Sequence, residues 1–415
     1  MSKLVFELNE FNEELLQTSA ATCENISKII TRGRVSFEID EDYDSEFLEP
    51  WSQWVTAHTG VSCSEHQIKH LGDIYDKQID HVWDTHPDKF GIVWGCLNSR
   101  NPQSADIRYF PDPWTLKSYT TINHRKSILN FLQFAVSSRS FDSFSDKFKA
   151  YFSIAPHLVI SSLQLARGID IDLLKIMRKF SGKVTINSSY IYAIIEYLNF
   201  NAFLRDQKSN FDKTDVFFAN MLAHAQHYYW NTNNHALIDF CLELVNAMLG
   251  KANKNYENTI LFNGLSQEFS GDLEEWHSWV PKGGWQSFIN DKLGIECKVQ
   301  PCMSYDCNLF FENQQKIANA NKRLSRIQTP DGQQLFLCEN NAQDNNKLFV
   351  RLQYYGPGDQ SFIDGNSSFL LNNNFDLVAI RSGRHFQESV AFGKIPDELK
   401  SKSDLFNLHS IGLYL

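Results

Sequence analysis

Strand-like and helical patterns alternate through the first 115 residues, and that alternation predicts a parallel sheet covered on both faces. Strands read at 3–8, 34–39 and 90–97, and helices at 13–31, from Trp51 onward, and around 78–86. The strands are apolar almost throughout, as burial on both faces requires. From about 120 to 251 the periodicity changes to long amphipathic helices at 125–137, 170–180, 189–204 and 235–249. Strand-like segments then return at 258–262, 296–299, 334–338, 347–352 and 377–381, separated by turns rich in Asn, Gly and Asp. The expected architecture is α/β: a central, mostly parallel sheet with helices on both faces, interrupted by a helical insertion. In residue terms, 1–120 is the first part of the core, 121–255 the insertion or cap, and 256–415 the second part.

Composition narrows the function classes. With 42% hydrophobic and 21% charged residues, the chain of 415 residues can bury a large core. A formal charge of −10 and the lack of any dense Lys/Arg run exclude a protein that wraps a nucleic-acid backbone. No apolar run approaches the roughly 20 residues that span a bilayer, and Met1-Ser-Lys leads directly into a strand rather than an export signal, so a cytoplasmic protein is expected. Eight scattered cysteines form no CxxC pair, which fits reduced, mostly buried thiols.

Parallel α/β sheets bind ligands at the carboxyl ends of their strands, and Glu7, Asn9 and Glu10 stand at the end of the first one. Glu7 and Asn9 share a strand face by the two-residue period, and Glu10 begins the turn. The competing reading is that Glu10 or Asn12 caps the next helix. The run Glu49-Pro-Trp-Ser puts Pro at a helix start and Ser52 in the first turn, where free N–H groups attract an anion. Ser52 is the candidate nucleophile, Thr56 lies one turn on, and Glu49 is a candidate ligand or catalytic group at the turn; alternatively Ser52 is a cap and Trp51, Trp54 and Val55 are the buried stripe. His58 and His66 flank this helix as candidate substrate contacts. His224 and His227 have i,i+3 spacing, which on a helix places both imidazoles on one face. His385 follows Ser-Gly-Arg at a strand end, where the planar fork of Arg384 suits a phosphate oxygen.

Taken together and in order, these segments resemble the alkaline phosphatase superfamily, particularly its nucleotide pyrophosphatase/phosphodiesterase branch, and look most like members linked to bacterial surface-glycan synthesis. Thr59-Gly60 and Ser64-Glu-His-Gln-Ile68 look like the elements that close the family's nucleophile helix, and His385 with Gly393 resembles its last metal-binding element. The sequence departs from the pattern in carrying Asn9 and Ala223 where the family has Asp. Cys302-Met-Ser-Tyr-Asp306 lacks the His of the family's Asp-His pair, and aligning on Thr59-Gly60 puts the nucleophile near Pro50 rather than Ser52.

The resemblance implies a metal-dependent hydrolase or transferase acting on a phosphoester, a nucleotide sugar or glycan phosphate. One divalent transition ion, Zn, Mn or Fe, would be held by His224, His227, His385 and an oxygen donor from Glu7, Asn9 or Glu10. Ser52, Glu49 and Arg384 would act in catalysis and Thr56, His58 and His66 in substrate binding. Two alternatives remain open: a single-metal enzyme of changed chemistry, and a non-catalytic binding or scaffold protein whose helical insertion docks a partner protein.

Overall fold

The computed structural model describes residues 3–20, 22–39, 50–68, 73–84, 89–110, 163, 166–186, 188–222, 234–252, 258–269, 276–301, 306–340, 346–365, 367–381, 383–386, 388–395 and 406–407. These fall into two compact units, the second drawn in its described part from residues 276–381.

The first unit is built on strands β1 (Lys3–Glu7), β2 (Arg34–Glu38), β3 (Gly91–Trp94), β4 (Ile107–Phe110), β5 (Val216–Asn220), β6 (Asn258–Phe262) and β7 (Ser266–Phe269). The second contributes β8 (Trp276–Pro281), β9 (Lys298–Pro301), β10 (Cys307–Phe310), β11 (Phe336–Asn340), β12 (Lys347–Leu352), β13 (Ser361–Asp364), β14 (Ser367–Leu370) and β15 (Phe375–Arg381). The chain then returns to the first unit with β16 (Gly383–Phe386), β17 (Ser389–Gly393) and β18 (Phe406–Asn407). The main sheet has eight strands in the order β18-β2-β17-β6-β1-β5-β3-β4. β17 runs against its neighbours β2 and β6, and every other adjacent pair is parallel.

Side-chain alternation along the central strands separates two cores. Leu4, Phe6 and Leu8 of the β1 segment join Ile92, Phe217, Ala219 and Leu261 on one face. There the sheet is covered by α1 (Glu13–Ala20), α2 (Glu24–Ile30), α5 (Ile171–Phe180), α6 (Ser188–Asp206) and α7 (His235–Ala252). Val5, Val93, Phe218, Ile260 and Phe262 face the other way, against Trp54 and Ala57 of α3 (Pro50–Thr59), which α4 (Cys63–His66) follows. The expected mostly parallel sheet with helices on both faces is present.

The division at 121 and 255 is corrected. The segment read as an insertion supplies β5, hydrogen-bonded between β1 and β3 in the middle of the sheet, and α5, α6 and α7, which complete its core. Val216-Phe-Phe-Ala-Asn220 is four apolar residues closed by Asn, long enough for a strand buried on both sides but too short to stand out among helical periods. The helix expected around 78–86 is also absent from its described part, where 78–84 is irregular. The helix read at 125–137 lies outside the described residues.

The second unit is closed by an antiparallel sheet, β11-β12-β10-β9, and a helix α8 (Gln314–Leu324) capped by Asn313, whose side chain accepts from the Lys316 N–H at 3.0 Å. Its core gathers Trp279, Trp285, Phe288, Phe336, Phe362 and Phe375. Trp279 and Trp285, on either side of Pro281-Lys-Gly-Gly284, are buried in it. Among the described residues no helix is long and apolar enough to cross a membrane.

Candidate functional site

Period-two alternation turns Val5, Glu7 and Asn9 toward α3, and two buried contacts fix the helix against the strand. Glu7 Oε1 lies 2.5 Å from His58 Nε2, and Asn9 Oδ1 accepts a hydrogen bond from Trp54 Nε1 at 2.7 Å. Trp54 and His58 are one turn apart on α3. As β1 advances from 7 to 9, its partners on α3 fall from 58 to 54, so the helix runs back along the strand. Its first turn, with Ser52, therefore lies toward the carboxyl edge of the sheet, where the dipole is positive.

That edge carries unusual backbone. Glu10, Asn98 and Leu222, which follow β1, β3 and β5, have φ of 57°, 51° and 50°, and Gly95 has 68°. Non-glycine residues in this left-handed region are uncommon and concentrate where a site is being shaped. At the exit of β1 the turn buries the Glu10 carboxylate, and Glu10 Oε2 comes 3.2 Å from His385 Nε2 of β16, a residue 375 positions away in sequence. Gln267 stands opposite His385 in the β7–β16 pairing, with its amide nitrogen 3.5 Å from the same imidazole nitrogen and its buried Oε1 without a partner. Helix capping does not compete for Glu10, because Asn12 caps α1 by accepting from the Leu15 N–H at 3.1 Å.

One step deeper, on the α3 face, a second buried cluster forms. Glu7 Oε2 accepts from Asn220 Nδ2 of the neighbouring strand at 3.0 Å while Oε1 meets His58. A ligand atom from each of Glu7, His58 and Cys96 lies within 4.8 Å of the others, and all three side chains are fully buried. His81 and Trp83 pack beside His58, with ring centroids 6.4 and 5.2 Å from it. His58 Nδ1, His81 Nε2 and Trp83 Nε1 are buried without hydrogen-bond partners. Burial, with His58 and Arg100 adding to it, holds the His81 imidazole well below its ordinary pKa, so it is neutral.

The predicted site residues are thus distributed over several places. Glu10 and His385 meet, as one metal-binding set requires. Glu7, expected with them, is instead engaged by His58 and Asn220. His58, Thr56 and His66, expected to touch substrate, are fully or almost fully buried and spend their polar atoms on the protein, which corrects that assignment. Thr56 Oγ1 lies 3.0 Å from His66 Nε2, and His66 Nδ1 accepts from the Ile68 N–H at 3.0 Å. This fixes Nε2–H as donor to Thr56 and His66 as neutral, and burial followed by the charge of Lys77 lowers its pKa to about 4. Asn9 is held by Trp54, and Ser52 is fully buried in α3. Arg384 lies in β16 with its side chain outside the described residues, as are Glu49, His224 and His227 entirely. Sequence reading missed Cys96, Asn220, His81 and Gln267. The signal for Asn220 was a polar residue ending an apolar run; Gln267 had none.

The molecule is therefore an α/β protein with a mostly parallel sheet, a part-buried carboxylate–imidazole pair at its carboxyl edge and a fully buried one below it. No protein-family model matches the chain, and no curated protein matches it. Among solved structures it is similar to phosphonoacetate hydrolase from Sinorhizobium meliloti 1021 in complex with phosphonoformate, at 10% identity and a TM-score of 0.44, covering 100% of this chain and 94% of that one. It is also similar to murine ectonucleotide pyrophosphatase/phosphodiesterase 5, at 10% identity and a TM-score of 0.40, covering 94% and 87%. An inactive variant of the murine protein in complex with AMP matches with the same scores.

Proposed function

We propose that the protein is a metal-dependent hydrolase or transferase acting on a phosphoester at the carboxyl edge of the main sheet. The observation that carries this reading is the approach of His385 Nε2 to Glu10 Oε2, 3.2 Å apart, in a left-handed turn at the end of the central strand. A carboxylate and an imidazole suit a divalent transition ion, and at this edge the described residues supply those two donors. The ion would lower the pKa of a bound water or hydroxyl and polarise the phosphoryl oxygen. Gln267 stands opposite His385 in the β7–β16 pairing and walls this side of the pair. The first turn of α3 offers N–H groups and its dipole to an anion, with Ser52 as the proposed nucleophile. His224, His227 and Arg384 are proposed to complete the ligand and phosphate contacts, and a nucleotide sugar or glycan phosphate is the proposed substrate.

Assay of the purified protein with a panel of phosphomonoesters, phosphodiesters and nucleotide sugars, with added Zn, Mn or Fe, tests this. Turnover is expected, falling by about 10²-fold or more in Glu10→Gln and in His385→Ala, the size typical of a lost proton-transfer or ligand group. Ser52→Ala is expected to lose more, about 10³-fold. A second reading, a binding protein without catalysis, is favoured by one observation: Asn9, Ser52 and Thr56 are buried, with Asn9 and Thr56 turned into packing contacts. Phosphoester binding without turnover under any metal would establish it.

A further inference from the structure

We propose that Glu7, His58 and Cys96 form a second, buried site for one borderline-soft divalent ion such as zinc, separate from the edge site of Glu10 and His385. The three residues come from the end of β1, the last turn of α3 and the turn after β3, so an ion there would tie the two central strands to the helix that covers them. Their ligand atoms lie within 4.8 Å of one another. Around a tetrahedral ion with bonds of about 2.0–2.3 Å, donor atoms stand roughly 3.4 Å apart, so the cluster has the right span. The Glu7–His58 contact of 2.5 Å opens by about 1 Å to admit the ion, which takes the place of the proton in that contact while the Cys96 thiol gives up its own proton to become the thiolate ligand, both protons leaving to solvent.

Three features distinguish this cluster from ordinary packing. The donor types, carboxylate, imidazole and thiolate, together suit zinc and its neighbours rather than magnesium or calcium. The carboxylate is already oriented by a second partner, since Asn220 Nδ2 holds Oε2 and leaves Oε1 aimed at His58. Finally, unpartnered ring nitrogens lie beside the cluster: His58 Nδ1 is buried without a partner, and so is His81 Nε2, on a ring whose centroid is 6.4 Å from that of His58; His81 Nδ1 faces the Ile79 carbonyl at 3.3 Å, so Nε2 presents a lone pair. Buried imidazole lone pairs without donors are rare in packed cores. The walls are apolar and aromatic, from Val5, Trp54, Trp83 and Phe218. All three ligands are fully buried among these apolar walls, and the role assigned to the ion is to tie strand and helix together.

The test is spectroscopic and independent of turnover. Purified full-length protein, stripped with chelator and titrated with Co²⁺, is expected to develop thiolate-to-cobalt charge-transfer absorption that zinc abolishes. The band is expected to vanish in Cys96→Ser and to shift in His58→Ala, while Glu10→Gln and His385→Ala keep it. Near-ultraviolet circular dichroism of each variant checks that it is folded, and the wild-type titration stands without any variant. Absence of the band in the wild-type protein, or its persistence in folded Cys96→Ser, overturns the proposal. Retention of the band in Glu10→Gln alongside loss of turnover separates this site from the catalytic one.

Discussion

At the scale of single residues, His66 shows how a side chain can look functional in sequence and serve stability instead. It sits near a helix with a candidate nucleophile, yet both its nitrogens are committed inside the protein, to Thr56 and to the Ile68 N–H. Its pKa of about 4 in the folded chain lies below the ordinary 6.5, so below pH 6.5 the unfolded chain takes up a proton that the folded chain refuses. This contribution is fully present above pH 6.5 and is lost as pH falls from 6.5 toward 4, by up to about 3 kcal/mol. Urea midpoints measured at pH 7.5 and pH 5 are expected to fall on acidification, and His66→Gln is expected to flatten part of that slope. An unchanged slope in the variant would remove His66 from the account. The position of Glu10 at the exit of the first strand was legible from the end of its apolar run. That of Glu7 was only half so: alternation put it on the correct face, but nothing in the sequence identified His58 as what it would meet.

Elements were legible where one periodicity persisted. α5, α6 and α7 follow the expected helices closely, as do β1, β2, β6 and β12. Those that were missed are short and owe their identity to neighbours. β5 is a strand because β1 and β3 hold both its edges, and β17 because Asn263 at the end of β6 grips it. There Asn263 Oδ1 accepts from the Val390 N–H at 2.7 Å, and the Asn263 carbonyl accepts from Ser389 Oγ at 2.8 Å. β17 ends at Gly393, whose φ of 120° and lack of a side chain let it lie against the backbone of β6. A Cβ there would stand 2.1 Å from the Thr259 carbonyl oxygen, and backbone offers no flexible end to move aside. Gly393→Ala is accordingly expected to cost about 2–4 kcal/mol, from strain and clash together. A guanidinium midpoint within experimental error of the wild type would show that β17 bends freely at its end.

At the scale of the whole molecule, the order β6-β1-β5-β3 places the first strand of the chain between two strands that arrive after residue 215. Both edges of β1 are satisfied only then, through registers such as Val5 with Phe218 and Val5 with Ile260. A chain ending at Asp212 has β1 and β3 with no β5 between them and its α3-facing core unclosed, so it is expected to be insoluble or to bind hydrophobic dye without a cooperative melt. A monomeric, cooperatively melting fragment would contradict this. The consequence reaches into synthesis. At roughly 5–20 residues per second a ribosome needs about 10–40 s to go from the first strand to its partner. For that time the apolar ribbon Leu4-Val5-Phe6 has no sheet partner on either edge, so its unpaired N–H and C=O groups stay open to any other extended segment it meets.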